Sequence, residues 1–91
     1  MAYAIRFSPR SMSAEKYQEV HARLEQAGKA TPAGRLHHFG YGEADQIHVF
    51  DVWDSLEDFQ SFGAVLMPVL AELGVDPGEP EIRPLLRSQG F

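Results

Sequence analysis

The stretch Val49-Phe50-Asp51-Val52-Trp53-Asp54-Ser55-Leu56-Glu57-Asp58-Phe59-Gln60-Ser61-Phe62-Gly63 decides how this chain folds. Its first five residues set β-branched and aromatic side chains on both sides of one carboxylate, Asp51, which is the composition of a buried strand. Ser55 then has the chemistry of a helix N-cap. Asp58 follows three residues on, a capping box in which Asp replaces the preferred Glu. Beyond it Leu56, Phe59, Phe62 and Gly63, then Leu66, Val69, Leu70 and Leu73, recur at helical spacing and form a broad apolar face. A strand thus runs directly into an amphipathic helix. Trp53 stands at the strand end, where a side chain can look into a cleft between sheet and helix. Pro68 falls inside the helical pattern and predicts a kink or a split near Leu66-Met67. Gly74 is a stop, and Asp76-Pro77-Gly78 is turn chemistry.

Upstream, Tyr3 to Ser8 alternates, with Tyr3, Ile5 and Phe7 on one face and Ala4, Arg6 and Ser8 on the other. Pro9 ends that strand. Ser13 caps a first helix whose stripe is Tyr17, Val20, His21, Leu24 and Ala27, and Gly28 closes it. Thr31-Pro32-Ala33-Gly34 is a loop. Arg35 to Gly42 reads as a strand joined by the short turn Glu43-Ala44-Asp45-Gln46 to its antiparallel partner, Ile47 to Trp53. A last strand, Glu81 to Leu86, contains Pro84 and follows Pro80. Prolines lack the ladder donor, so this strand belongs at a sheet edge or a bulge.

The order β-α-β-β-α-β predicts an α+β, ferredoxin-like domain spanning residues 1–91: a four-stranded antiparallel sheet with both helices on one face. The third strand is nevertheless apolar on both sides, with Ile47, Val49 and Trp53 on one and Phe50 and Val52 on the other. A sheet apolar on both faces needs a second layer, and a second copy of the chain supplies one. A homodimer with paired sheets is the expectation.

At 91 residues the chain is one domain, of a size that buries about 60–65% of its unfolded surface and gains from oligomerisation. It has no cysteine, so neither a disulfide nor a thiolate is available, which fits a reducing compartment. With 8 basic and 13 acidic residues its net charge is −5, which disfavours nucleic acid. No apolar run approaches the ~20 residues that span a bilayer. The N-terminus lacks the pattern of a signal peptide. A cytoplasmic protein with no nucleic-acid or membrane partner is expected.

The order of elements, the string Val52-Trp53-Asp54-Ser55-Leu56-Glu57-Asp58-Phe59 and the doubly apolar sheet resemble the dimeric α+β barrel superfamily, and within it the antibiotic biosynthesis monooxygenase-like proteins. The resemblance implies a dimer whose sheets form a barrel and a ligand cavity between sheet and helices in each subunit. Two departures accompany it. Haem-degrading members carry a histidine about ten residues after the tryptophan, where this chain has Phe62 and Gly63. Several oxygenase members use an asparagine of the first strand, and this chain has no asparagine. These departures point away from haem binding and from cofactor-independent oxygenation, and no cofactor is expected.

Chemistry concentrates around Asp51. If Ala44-Asp45 is a two-residue loop, His38 lies opposite Asp51; if the loop is one residue longer, His37 does. Either pairing orients an imidazole and raises its basicity. His21 takes an apolar position on the first helix and should face the sheet. The candidate catalytic groups are therefore His21, His37, His38 and Asp51. Tyr17, Trp53, Phe62 and Gly63 are candidates for shaping a ligand pocket, with Arg6 a candidate anion contact. A buried His-Asp pair serves equally well as a purely structural hydrogen bond. No two histidines have His-x-x-x-His spacing, and no metal is expected. The expected function is binding of a hydrophobic or aromatic metabolite, with monooxygenase-like or isomerase-like proton chemistry on it. The alternative is a non-catalytic homodimeric module.

Overall fold

In the computed structural model, which describes residues 1–87 and 89, the elements follow the expected order: β1 (Tyr3–Phe7), α1 (Ala14–Gln26), β2 (Arg35–Glu43), β3 (Gln46–Trp53), α2 (Leu56–Glu72) and β4 (Glu81–Pro84). The strands form one sheet in the order β2-β3-β1-β4, antiparallel throughout. The two strands richest in apolar residues take the centre. β4, with its proline, takes an edge, as a strand lacking a ladder donor must. Its regular part stops at Pro84 rather than Leu86, although the Leu85 N–H still donates to the Ala2 carbonyl at 2.8 Å.

Both helices are capped as their sequences require. The hydroxyl of Ser13 accepts from the Lys16 N–H, and that of Ser55 accepts from the Asp58 N–H, each at 3.1 Å. Each helix also ends on a glycine at positive φ, Gly28 at 72° and Gly74 at 70°. There the chain folds back so that the Lys29 N–H reaches Leu24 and the Val75 N–H reaches Leu70, closing Schellman motifs. The second motif packs buried Val75 on buried Leu70. Of the kink or split expected at Pro68, the split does not occur: α2 runs unbroken from Leu56 to Glu72. Pro68 and Ala64 are both exposed, so the carbonyl that loses its intrahelical donor can bond to water.

Ile5 and Trp53 are completely buried at the middle of the core, where Val20 and Leu24 of α1 and Phe62 and Leu70 of α2 close over the sheet. The opposite sheet face has no such cover. There Phe39 and Tyr41 keep 54% and 46% of their surface exposed beside Phe50. The hairpin turns through Ala44-Asp45, with Glu43 paired to Gln46. That register sets His38, not His37, opposite Asp51. Between Arg35 and His37 the pairing slips by one residue in a β-bulge, and Arg35 pairs with Trp53.

Candidate functional site

Asp51 is the one buried charged side chain among the described residues. It lies on the helix-facing side of β3, two residues from Trp53. Its Oδ1 is 2.6 Å from Nδ1 of His38 on the neighbouring strand. An ionised carboxylate only accepts, so Nδ1 carries the proton and Nε2 is the free lone pair. The Tyr17 hydroxyl of α1 meets that lone pair at 2.7 Å and donates to it. On its other side, Asp51 Oδ2 accepts a long 3.4 Å contact from the Trp53 indole N–H. The result is a directional chain, Tyr17 to His38 to Asp51, with the carboxylate held from behind by Trp53.

Tyr17 reaches His38 because β2 has no side chain in its way. A Cβ built on Gly40 would overlap the Tyr17 hydroxyl, so the glycine is there for close approach. His21, one helical turn beyond Tyr17, packs edge-on against the Tyr17 ring at 4.5 Å and the His38 ring at 5.2 Å. Burial pushes the Tyr17 phenol up, helped by the negative charge of Asp51 and opposed by Arg35. Burial pushes His21 down. Its neighbours His38 and Arg35 add to that, against the weaker pull of Glu25 and Asp51. Tyr17 is thereby kept as the neutral phenol and His21 as the neutral imidazole.

This chain of groups opens into a cavity of about 210 Å³ between the sheet and the two helices. Phe7, Val49, Phe59, Phe62 and Leu66 make most of its lining apolar, and Arg35 brings a cation to it. The Arg35 guanidinium lies 5.5 Å from the centre of the Phe62 ring and donates to the Ala30 carbonyl at 3.0 Å. A Cβ at Gly63 would meet nothing within 4 Å, so the glycine leaves room on the cavity wall.

Neither a protein-family model nor a curated protein sequence matches the chain. Solved structures do. One is a provisionally assigned antibiotic biosynthesis monooxygenase of Chloroflexus aurantiacus J-10-fl. It superposes with a TM-score of 0.68 at 15% identity, over 99% of this chain and 98% of its own. A second is SnoaB, a cofactor-independent oxygenase from Streptomyces nogalater, with a TM-score of 0.63 at 18% identity over 96% of this chain and 93% of its own. A third, also provisionally assigned to the monooxygenases, is from Caulobacter crescentus CB15, with a TM-score of 0.64 at 18% identity over 97% and 91%. The chain shares the fold of these structures.

Within this shared fold the candidate residues separate cleanly. His21, His38, Asp51, Tyr17, Phe62 and Gly63 all line the cavity. Trp53 does not line it. It is wholly buried behind it, 5.7 Å from the rings of both Phe59 and Phe62, and serves as the backing of Asp51. His37 and Arg6 lie on the opposite face of the sheet, both exposed, His37 stacking on Phe39 at 6.3 Å. The register excludes His37 from Asp51. Strand alternation excludes Arg6 from the cavity, because its neighbour Ile5 points in. His48 is also on the outer face, 3.0 Å from the Ser8 hydroxyl. Two residues that shape the site escape sequence reasoning. Gly40 is signalled faintly, as a lone glycine inside a strand. Arg35 is hidden by the bulge.

Proposed function

We propose that the chain is a cytoplasmic homodimer that binds a hydrophobic, aromatic metabolite in this cavity and removes a proton from it. The observation that carries this reading is the Tyr17-His38-Asp51 chain opening onto an apolar cavity. A ligand with an enolic or phenolic hydroxyl, or a C–H beside a carbonyl, would sit against the Tyr17 oxygen. Tyr17 would pass its own proton to His38 Nε2 and take the ligand's. The ligand is left as an anion, and the imidazolium is stabilised by Asp51. Return of the proton to a different carbon completes an isomerisation. If the anion instead reacts with dioxygen, one oxygen atom forms a C=O at the former CH2 carbon and the other leaves as water, with the ligand itself as reductant; SnoaB, which has this fold, is a cofactor-independent oxygenase. A raised Tyr17 pKa suits this role, since the relay must be protonated at rest.

Proton abstraction is common to both outcomes and is the step to measure. Exchange of the acidic C–H of β-tetralone with deuterated solvent, followed by NMR, reports it directly, and an oxygen electrode in parallel separates the oxygenase outcome. Asp51→Asn should keep the fold and lower the exchange rate by about 10²- to 10⁴-fold, the usual weight of a general base. Exchange no faster in the presence of the wild-type protein than in buffer would remove the base from the site.

One observation favours the non-catalytic module instead: no buried polar side-chain atom among the described residues lacks a partner, so the network is complete without a ligand. A thermal-shift screen with bicyclic aromatic metabolites and haem separates the two, because a ligand that binds only the folded state raises the melting temperature.

A further inference from the structure

The bulge in β2 does something specific. In an unbroken antiparallel ladder, alternation back from His38 would put Leu36 on the cavity side and Arg35 on the outer face. The slip between Arg35 and His37 exchanges them. Arg35 pairs with Trp53 and enters the cavity lining, while Leu36 is turned out with 53% of its surface exposed. An apolar residue is given up to solvent and a permanent cation is taken into an apolar cavity. Both changes run against burial energetics. Bulges that re-aim a side chain in this way recur beside active sites.

No carboxylate of the described residues pairs with that cation. Among the described residues Arg35 forms no ion pair, whereas Arg23 and Arg83 both do. Of its five N–H donors, one hydrogen bond to protein is formed, to the Ala30 carbonyl. The guanidinium lies over the Phe62 ring, 5.5 Å from its centroid. A fixed planar fork with unused donors, lining the same cavity as Tyr17 and His38, matches a carboxylate bidentately. The cavity of about 210 Å³ is small beside the ~300–1,000 Å³ of drug-sized pockets, which suits a two-ring ligand.

We infer that Arg35 binds a carboxylate on the ligand, and that the ligand class is a bicyclic aromatic acid bearing a second, proton-yielding group for Tyr17. The inference rests on the reading of this cavity as a ligand site. It gives the ligand two polar anchors: the carboxylate at Arg35, and the reacting hydroxyl or C–H at the Tyr17-His38 end. It also accounts for an acidic protein accepting an acid, since the local charge of Arg35 offsets the net charge of the surface.

The test uses a matched pair, 6-hydroxy-2-naphthoic acid and 6-hydroxy-2-naphthamide, titrated calorimetrically at pH 7.5 into the wild-type chain, Arg35→Gln and Arg35→Lys. The wild type should bind the acid about tenfold or more tighter than the amide, the strength of a charge-assisted pair over a neutral one. Arg35→Gln should bind the two alike. Acid and amide bound equally by the wild type would overturn the role of Arg35 and leave the cavity reading standing. A preference that survives in Arg35→Gln would overturn it too, assigning the carboxylate elsewhere. No binding of either compound at millimolar concentration would overturn both readings. If Arg35→Gln does not fold, Arg35→Lys decides. Its preference falls below that of the wild type if the fork holds the carboxylate, and is unchanged if it does not.

Discussion

The two faces of the sheet are built from the same strands and are nearly equal in apolar content, yet they have opposite fates. On the helix side, Ile5, Val49 and Trp53 are buried, and the polar groups among them are tied into one chain of hydrogen bonds. On the outer side, Phe39, Tyr41 and Phe50 lie beside Arg6, His37 and His48, and no helix of the described residues lies above them. A covered face can hold a buried carboxylate because its partners are fixed. An uncovered one cannot, and carries groups that tolerate water. Apolarity therefore says that a face needs a partner, whereas satisfied polar groups mark the face that has one.

The largest effect should come from adding a charge to the uncovered face. If a second copy covers it, Phe50→Asp buries an unpaired carboxylate at the sheet-to-sheet contact and abolishes the dimer. Sedimentation should show the wild type at twice the protomer mass and the variant at the protomer mass, with unchanged far-UV circular dichroism. A wild type that sediments as a monomer would break the comparison, for the outer face would then be a finished surface.

On the covered face the largest loss should follow from Asp51→Ala. It leaves His38 Nδ1–H and the Trp53 indole N–H without their acceptor, at a cost of about 2–4 kcal/mol in urea unfolding. A cost below about 1 kcal/mol would show that the network is not what holds this face together.

The fold was largely legible because each element carries its own punctuation. Ser13 and Ser55 sit at true N-caps and Gly28 and Gly74 at true stops. The alternation of Tyr3, Ile5 and Phe7 sets the phase of β1. That same alternation sends Arg6 to the outer face, so an anion held by Arg6 would lie apart from the cavity. The His37/His38 ambiguity is of another kind. One residue in a hairpin loop reverses every side chain of a strand, and Ala44-Asp45 lacks the Asn-Gly or Asp-Gly signature that would fix its length. Arg35 was not legible at all, because a bulge leaves no mark in an alternating pattern. Pro68 misleads for the opposite reason. Its local rule is strong, but the freed carbonyl is exposed and the apolar stripe of α2 continues past it.

Two glycines sharpen the comparison within the covered face. Gly40→Ala should push the Tyr17 hydroxyl off His38, destabilise the fold by about 1–3 kcal/mol and remove the proton-exchange activity. Gly63→Ala places its methyl in the open cavity. It should stabilise α2 by about 0.5–1 kcal/mol through helix propensity while weakening two-ring ligands. If Gly63→Ala stabilises the fold and ligand affinity does not change, the cavity wall at Gly63 is not part of the site.

The smallest effect concerns pH and His21. In the folded chain, burial and the neighbouring His38 and Arg35 hold His21 below its ordinary value of 6.5, while Glu25 and Asp51 pull weakly the other way. In the unfolded chain it titrates near that ordinary value. Above it both states are neutral, and the full stability of the packed ring is present. As pH falls through 6.5 the unfolded chain takes up the proton first, so unfolding is favoured progressively until the folded His21 is protonated as well. Urea midpoints measured from pH 8 down to pH 5 should therefore decline, and the decline should be shallower in His21→Gln, which cannot take up the proton. Equal slopes would place His21 in water-like surroundings in the folded state. That would detach it from the Tyr17-His38 edge contacts, which otherwise make it part of the covered face.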